Sequence, residues 1–95
     1  MGRYNLSCAA AADFEAIFEY GIENFGLEQA ITYQNGLTQR FEALADRPEQ
    51  YPAVEHIRSG YRRSVFEAHS IYYRIQADGV LIVRILGQQS LDDAF

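Results

Sequence analysis

Apolar residues recur along this chain at different spacings, and each spacing predicts a different kind of element. Tyr4, Leu6 and Cys8 alternate with polar neighbours, as a short opening strand with one inward face requires. After the alanines at 9–12 the spacing changes to threes and fours: Phe14, Ile17, Phe18, Gly21, Ile22 and Phe25 share one side, while Asp13, Glu15, Glu19 and Glu23 cover the other. This is an amphipathic helix. Asn24-Phe25-Gly26 should stop it, with Gly26 as a left-handed cap. A second helix carries Ala30, Tyr33, Leu37, Phe41 and Leu44 on one stripe. It should end by Arg47, because Pro48 disfavours helical geometry in the residue before it. The link between the helices is short, so they should form an antiparallel αα-hairpin.

Alternation returns beyond the loop Arg47–Pro52, and Arg58–Gln89 reads as three consecutive strands. Ile71-Tyr72-Tyr73-Arg74-Ile75 alternates, whereas Leu81–Leu86 is apolar except for Arg84. Ala77-Asp78-Gly79 between them is a turn signal. Placing Ile71, Tyr73 and Ile75 on the same face as Leu81, Val83 and Ile85 predicts a three-residue loop, with Gly79 left-handed in a bulge. Tyr72 then opposes Arg84, and Arg74 opposes Ile82. The expected class is α+β: an N-terminal strand, an antiparallel helical hairpin, then a three-strand antiparallel meander, in one domain over residues 1–95.

Composition narrows the chemistry. At 95 residues, folding buries roughly two-thirds of the unfolded chain's surface. One cysteine excludes an internal disulfide, and Cys8 is expected as a buried structural thiol. His56 and His69 are expected as exposed polar residues, and no metal site or cofactor is expected. Met1–Asn5 lacks the apolar core of a signal peptide and no apolar run approaches ~18 residues, so a cytoplasmic protein without a membrane span is expected.

The net charge is −5, but unevenly spread. Residues 1–57 hold nine acids and three arginines; residues 58–84 hold five arginines against Glu67 and Asp78, and the tail adds Asp92 and Asp93. There is no lysine. An acidic chain is a poor general nucleic-acid binder, because phosphate affinity depends on cation contacts. The face bearing Tyr72, Arg74 and Arg84 is either a solvated strand face or a surface for a protein partner. Phe14, Phe18, Tyr20, Phe25 and Tyr33 either fill a core or line a groove for a partner helix. Glu15, Glu19 and Glu23 recur every fourth residue, the pattern of a solvated face. Metalloprotease, phosphate-loop, dinucleotide and nucleophile-elbow motifs are absent.

The element order, the Asn24-Phe25-Gly26 break, the Arg47–Pro52 loop, and above all Gly60-Tyr61-Arg62-Arg63, Tyr72-Tyr73-Arg74-Ile75 and Val83-Arg84-Ile85-Leu86 resemble ParE toxins. These belong to the RelE/ParE superfamily of bacterial type II toxin–antitoxin modules, and the likeness covers nearly the whole chain. It implies a non-enzymatic toxin that inhibits DNA gyrase and traps cleaved DNA, held inactive by a ParD-like antitoxin whose C-terminal segment wraps its helices and sheet. It points to Arg62, Arg63, Tyr72, Arg74, Arg84, Gln88 and Gln89, with the 87–95 tail, as the effector surface. On the helical side it points to Phe14, Phe18, Phe25, Tyr33 and Leu37 as antitoxin-binding or core residues.

The RelE branch instead cuts ribosome-bound messenger RNA, with basic residues on the sheet and after the last strand and an aromatic hydroxyl in the tail. Here the corresponding places hold Ile71, the uncharged Gln88 and Gln89, and Phe95, which has no hydroxyl. Many ParE members carry a histidine and an arginine just after the last strand, where this chain has Gly87 and Gln89. The alternatives are therefore a ribosome-dependent endoribonuclease and a detoxified, antitoxin-binding relative.

Overall fold

In the computed structural model, which describes residues 2–87, Ser7 divides the first two elements. Strand β1 (Arg3–Leu6) stops there and helix α1 (Cys8–Phe25) begins. The Ser7 Oγ accepts a hydrogen bond from the Ala10 N–H at 3.0 Å, a side-chain cap of the first turn. The cap ends the strand before the alternation does, so Cys8 becomes the first helical residue. It is exposed, not the buried thiol its alternation suggests.

Gly26 alone separates α1 from α2 (Leu27–Asp46). Its φ of 92° favours glycine, as expected, but its ψ of 163° is extended and not that of a left-handed cap. Its N–H still bonds the Ile22 carbonyl at 3.1 Å. Helix α2 ends at Asp46, two residues before Pro48.

Strands β2 (Tyr61–Phe66), β3 (His69–Gln76) and β4 (Gly79–Leu86) form the antiparallel meander, and β1 lies parallel beside β4, giving the order β1-β4-β3-β2. That parallel pairing explains Gly79: a Cβ there would run into the Arg3 carbonyl. Both helices cover one sheet face. Ala10, Leu37, Phe41 and Leu44 pack against Ile71, Tyr73, Val80, Ile82 and Ile85, with the Tyr4 and Phe14 rings 5.4 and 5.8 Å from that of Phe41. Burying each large apolar side chain contributes about 1.5–3 kcal/mol.

The β3–β4 hairpin departs from its expected register. Gln76 pairs with Gly79, so the loop is two residues, Ala77-Asp78. The parity mismatch is absorbed mid-strand: Tyr73 pairs with Ile82 but Tyr72 with Arg84, leaving Val83 as the extra residue of a bulge. Val80 and Ile82 thus join the core before the bulge and Ile85 after it, while Leu81 and Val83 do not. Tyr72 opposes Arg84 as expected, but Arg74 opposes Leu81 instead of Ile82.

On the sheet face away from the helices, Val54, Tyr72 and Leu86 form a second buried cluster with Ile57 and Tyr61 beside it. The chain before β2 supplies it. Ala53 bridges Arg62, the Val54 N–H bonds the Tyr61 carbonyl at 2.8 Å, and the Arg63 N–H bonds the Pro52 carbonyl at 3.1 Å. Residues 52–54 therefore pair with the first half of the outer edge of β2, Tyr61–Arg63. Among the described residues, no helix is long and apolar enough to cross a membrane.

Candidate functional site

Two regions carry the residues singled out above: the arginine-bearing strands and the helical hairpin. On the strands, Arg84 is held by Asp13 of α1. Its Nε donates to Asp13 Oδ2 at 2.7 Å and its Nη2 to Oδ1 at 2.9 Å, a two-pronged ion pair. The Ile85 N–H donates to the same Oδ2 at 2.9 Å. These contacts sit where β1 has run out. The Ser7 N–H bonds the Ile82 carbonyl at 2.9 Å and its Oγ donates to the Val83 carbonyl at 2.7 Å, so Ser7 and Asp13 continue the edge that β1 leaves. The hydrogen bonds that Arg84 donates to Asp13 push its pKa further up.

Arg62 is also engaged. Its Nη1 donates to the Tyr51 carbonyl at 2.6 Å, fixing the loop after α2. The Tyr73 hydroxyl donates to Pro48 O in the same loop at 2.7 Å, and burial pushes its pKa up to about 12. Arg63 reaches across β2–β3, Nε to Ser70 Oγ at 3.0 Å, yet remains exposed, as does Arg74. Tyr72, expected on an open face, is 2 % exposed because Val54 and its neighbours pack over it. Gln88 and Gln89 lie outside the described residues. Arg40, which no sequence pattern marked, donates to Ser64 Oγ at 2.7 Å and the Val65 carbonyl at 2.9 Å. Its guanidinium carbon lies 5.5 Å from the Tyr51 ring centroid and 5.4 Å from that of Phe66.

The helical residues separate as sharply. Leu37 is fully buried, Phe14 packs on Phe41 and Phe18 is half-buried. Phe25 is 63 % exposed and meets the equally exposed Tyr20 edge-on at 6.3 Å between centroids. Below them a groove of about 410 Å³ is lined by Ile17, Tyr20, Phe25, Ala30, Tyr33 and His69, among others. Leu27 and Ile31, also exposed, extend the apolar surface around the hairpin tip.

Two polar side chains meet in this largely apolar groove. The Tyr33 hydroxyl lies 2.6 Å from His69 Nδ1 and 3.3 Å from the Phe66 carbonyl, which it faces as a donor. His69 is thus half-buried in a hydrogen-bonded site, not the exposed polar residue expected. Burial lowers its pKa, opposed by the charge of Asp13, and burial raises that of the Tyr33 hydroxyl. Helix spacing alone could not reveal this pair, because His69 comes from a different element.

Residues 4–91 match the family described as "ParE toxin of type II toxin-antitoxin system, parDE". The chain belongs to this family. The ParE1 toxin of Caulobacter vibrioides is 36% identical over 88 residues, 93% of this chain and 91% of the relative. The ParE1 toxin of Mycobacterium tuberculosis is 34% identical over 88 residues, 92% of this chain and 90% of the relative. A solved structure titled "Chromosomal ParDE TA system from P. aeruginosa" superposes with a TM-score of 0.79 at 22% identity, covering 94% of this chain and 98% of that one. It shares the fold: one strand, two helices, then three strands in one sheet. In this ParE-family toxin the groove opens on the helical side, whereas Arg63 and Arg74 lie on the sheet face away from the helices.

Proposed function

We propose that this ParE-family chain is the toxin of a two-protein module, neutralised by a ParD-like antitoxin, and that in the cytoplasm it inhibits DNA gyrase by binding instead of catalysis. The observation that carries the reading is the division of labour among the arginines. Arg62 and Arg84 are tied to the loop at Tyr51 and to Asp13, while the exposed Arg63 and Arg74 lie on the opposite side of the sheet from His69. Cleavage of RNA by its own 2′-hydroxyl needs a base and phosphate-binding cations converging on one cleft. Two exposed arginines on the sheet face away from His69 instead suit contact with a protein surface. For the antitoxin, the apolar hairpin tip supports a helical or extended segment docking over Tyr20 and Phe25.

A supercoiling assay with purified gyrase, plasmid, ATP and this protein tests the target. Linear DNA should accumulate, and the antitoxin encoded beside this toxin should suppress it. No cleavage with excess folded toxin would overturn the gyrase reading, and cleavage of messenger RNA on ribosomes would replace it with a nuclease.

A further inference from the structure

His69 is the first residue of β3 and lines the hairpin groove. Only one of its ring nitrogens is committed. Nδ1 lies 2.6 Å from the Tyr33 hydroxyl, whereas among the described residues no hydrogen bond reaches Nε2. No described side-chain nitrogen or oxygen that is shut off from water lacks a partner, so Nε2 keeps contact with solvent. Gly87 passes beside that edge of the ring; a Cβ there would sit 3.7 Å from Nε2.

The hydrogen bonds of this corner close for neutral His69 and not for the cation. In the neutral ring, an Nδ1–H donates to the Tyr33 oxygen and the Tyr33 O–H donates to the Phe66 carbonyl at 3.3 Å. Every donor is then satisfied within the protein, and Nε2 carries no hydrogen. Protonation places a second N–H on Nε2, and in the free toxin water accepts from it. The charged groups nearby do not replace that water. Asp13 of α1 acts on the ring through its charge, but its two oxygens accept from Arg84 of β4 and from the Ile85 N–H. Tyr33 of α2 already serves Nδ1, and Glu67 of the β2–β3 turn is exposed and acts through its charge on Tyr33.

The rest of the groove wall is largely apolar, with Ile17, Tyr20, Phe25 and Ala30 among its residues. A segment laid over Tyr20 and Phe25 excludes the water that serves Nε2. The negative charges of Asp13 and Glu67 disfavour a carboxylate tip at this point, so the covering side chain is apolar there. An imidazolium N–H sealed under it has no acceptor, which costs far more than covering a bare ring nitrogen.

We propose that the antitoxin's segment closes this groove only over neutral His69, so that assembly is coupled to loss of the ring proton and acid loosens the complex. This rests on the antitoxin reading and adds its regulation. Burial already lowers the His69 pKa in the free toxin, and covering Nε2 lowers it further. Binding is therefore unaffected by this group above pH 6.5 and weakens as pH falls through the free-toxin value.

Imidazole NMR of the full-length toxin, free and saturated with the antitoxin encoded beside it, tests the proposal. The His69 midpoint should fall by at least about one pH unit in the complex. By calorimetry, the Kd should rise as pH drops below the free-toxin midpoint, approaching about tenfold per pH unit. His69→Gln, neutral at every pH, should bind near the parent's affinity at about pH 7.5 and lose this pH dependence, whereas His56→Gln should keep it. A His69 midpoint unchanged or raised in the complex would overturn the proton link and leave the antitoxin reading standing, as would a His69→Gln variant with the parent's pH dependence. An antitoxin that does not bind even at about pH 7.5 would overturn both.

Discussion

The arginine strands and the hairpin tip make opposite use of conspicuous residues. On the strands the arginines stand out in sequence, yet Arg62 and Arg84 hold the fold together and Tyr72 is buried under a loop. At the tip, aromatics that read equally well as core filling include Phe25 and Tyr20, at 63 % and 62 % exposed. A charged side chain that finds a fixed partner becomes part of the scaffold, whereas an apolar side chain without one remains free to bind. Residue type alone therefore does not separate architecture from surface; the partner does.

The contrast is sharpest at Leu37 and Phe25, both named for the helical side. Leu37→Ala should lower stability by about 3 kcal/mol through lost burial and a cavity, measured by denaturant unfolding. Phe25→Ala should change stability by less than about 0.5 kcal/mol and weaken antitoxin binding about tenfold, measured by calorimetry. Similar effects of both variants on stability would erase the distinction.

Next in size is Asp13. Asp13→Ala removes the partner of Arg84 and the acceptor of the Ile85 N–H together. It should cost about 2 kcal/mol, below the full range for buried pairs because the two side chains remain 21% and 15% exposed. A loss under about 0.5 kcal/mol would show that the pair behaves as an ordinary surface contact.

Arg74→Ala should leave stability within about 0.5 kcal/mol of the parent and reduce gyrase inhibition while antitoxin binding persists. Arg84→Ala should instead lose stability as well as activity. If Arg74→Ala weakens antitoxin binding as much as inhibition, that face belongs to the antitoxin.

The smallest effect concerns pH. Burial lowers the His69 pKa from its ordinary 6.5, with Tyr33 of α2 as its hydrogen-bond partner and Asp13 of α1 opposing the shift. The unfolded chain then binds the proton more readily, so this contribution to stability is complete above pH 6.5 and is lost as pH falls through the lower folded value. His69→Gln should flatten that part of the stability–pH curve. An unchanged slope would assign it to other groups.

Element order, the ends of both helices and the core stripe of α2 were legible in the residues. Ala30, Leu37, Phe41 and Leu44 are buried where their spacing requires, and Pro48 follows the end of α2. The β3–β4 register was not, because an inward set that changes parity at Val83 fits a bulge in the turn or in the strand equally well. Cys8 departs from the strand alternation because the Ser7 cap outweighs one more step of it. The Tyr33–His69 pair joins residues far apart in the chain and left no local pattern to read.

Local order in this protein was thus determined by the sequence itself, because spacing, caps and prolines act within one or two turns of chain. Only the tertiary structure decided where β1 docks, where the bulge falls and which arginines are committed. Those outcomes depend on contacts such as Asp13 with Ile85, 72 residues apart, whose energies compete with alternatives that no local window contains.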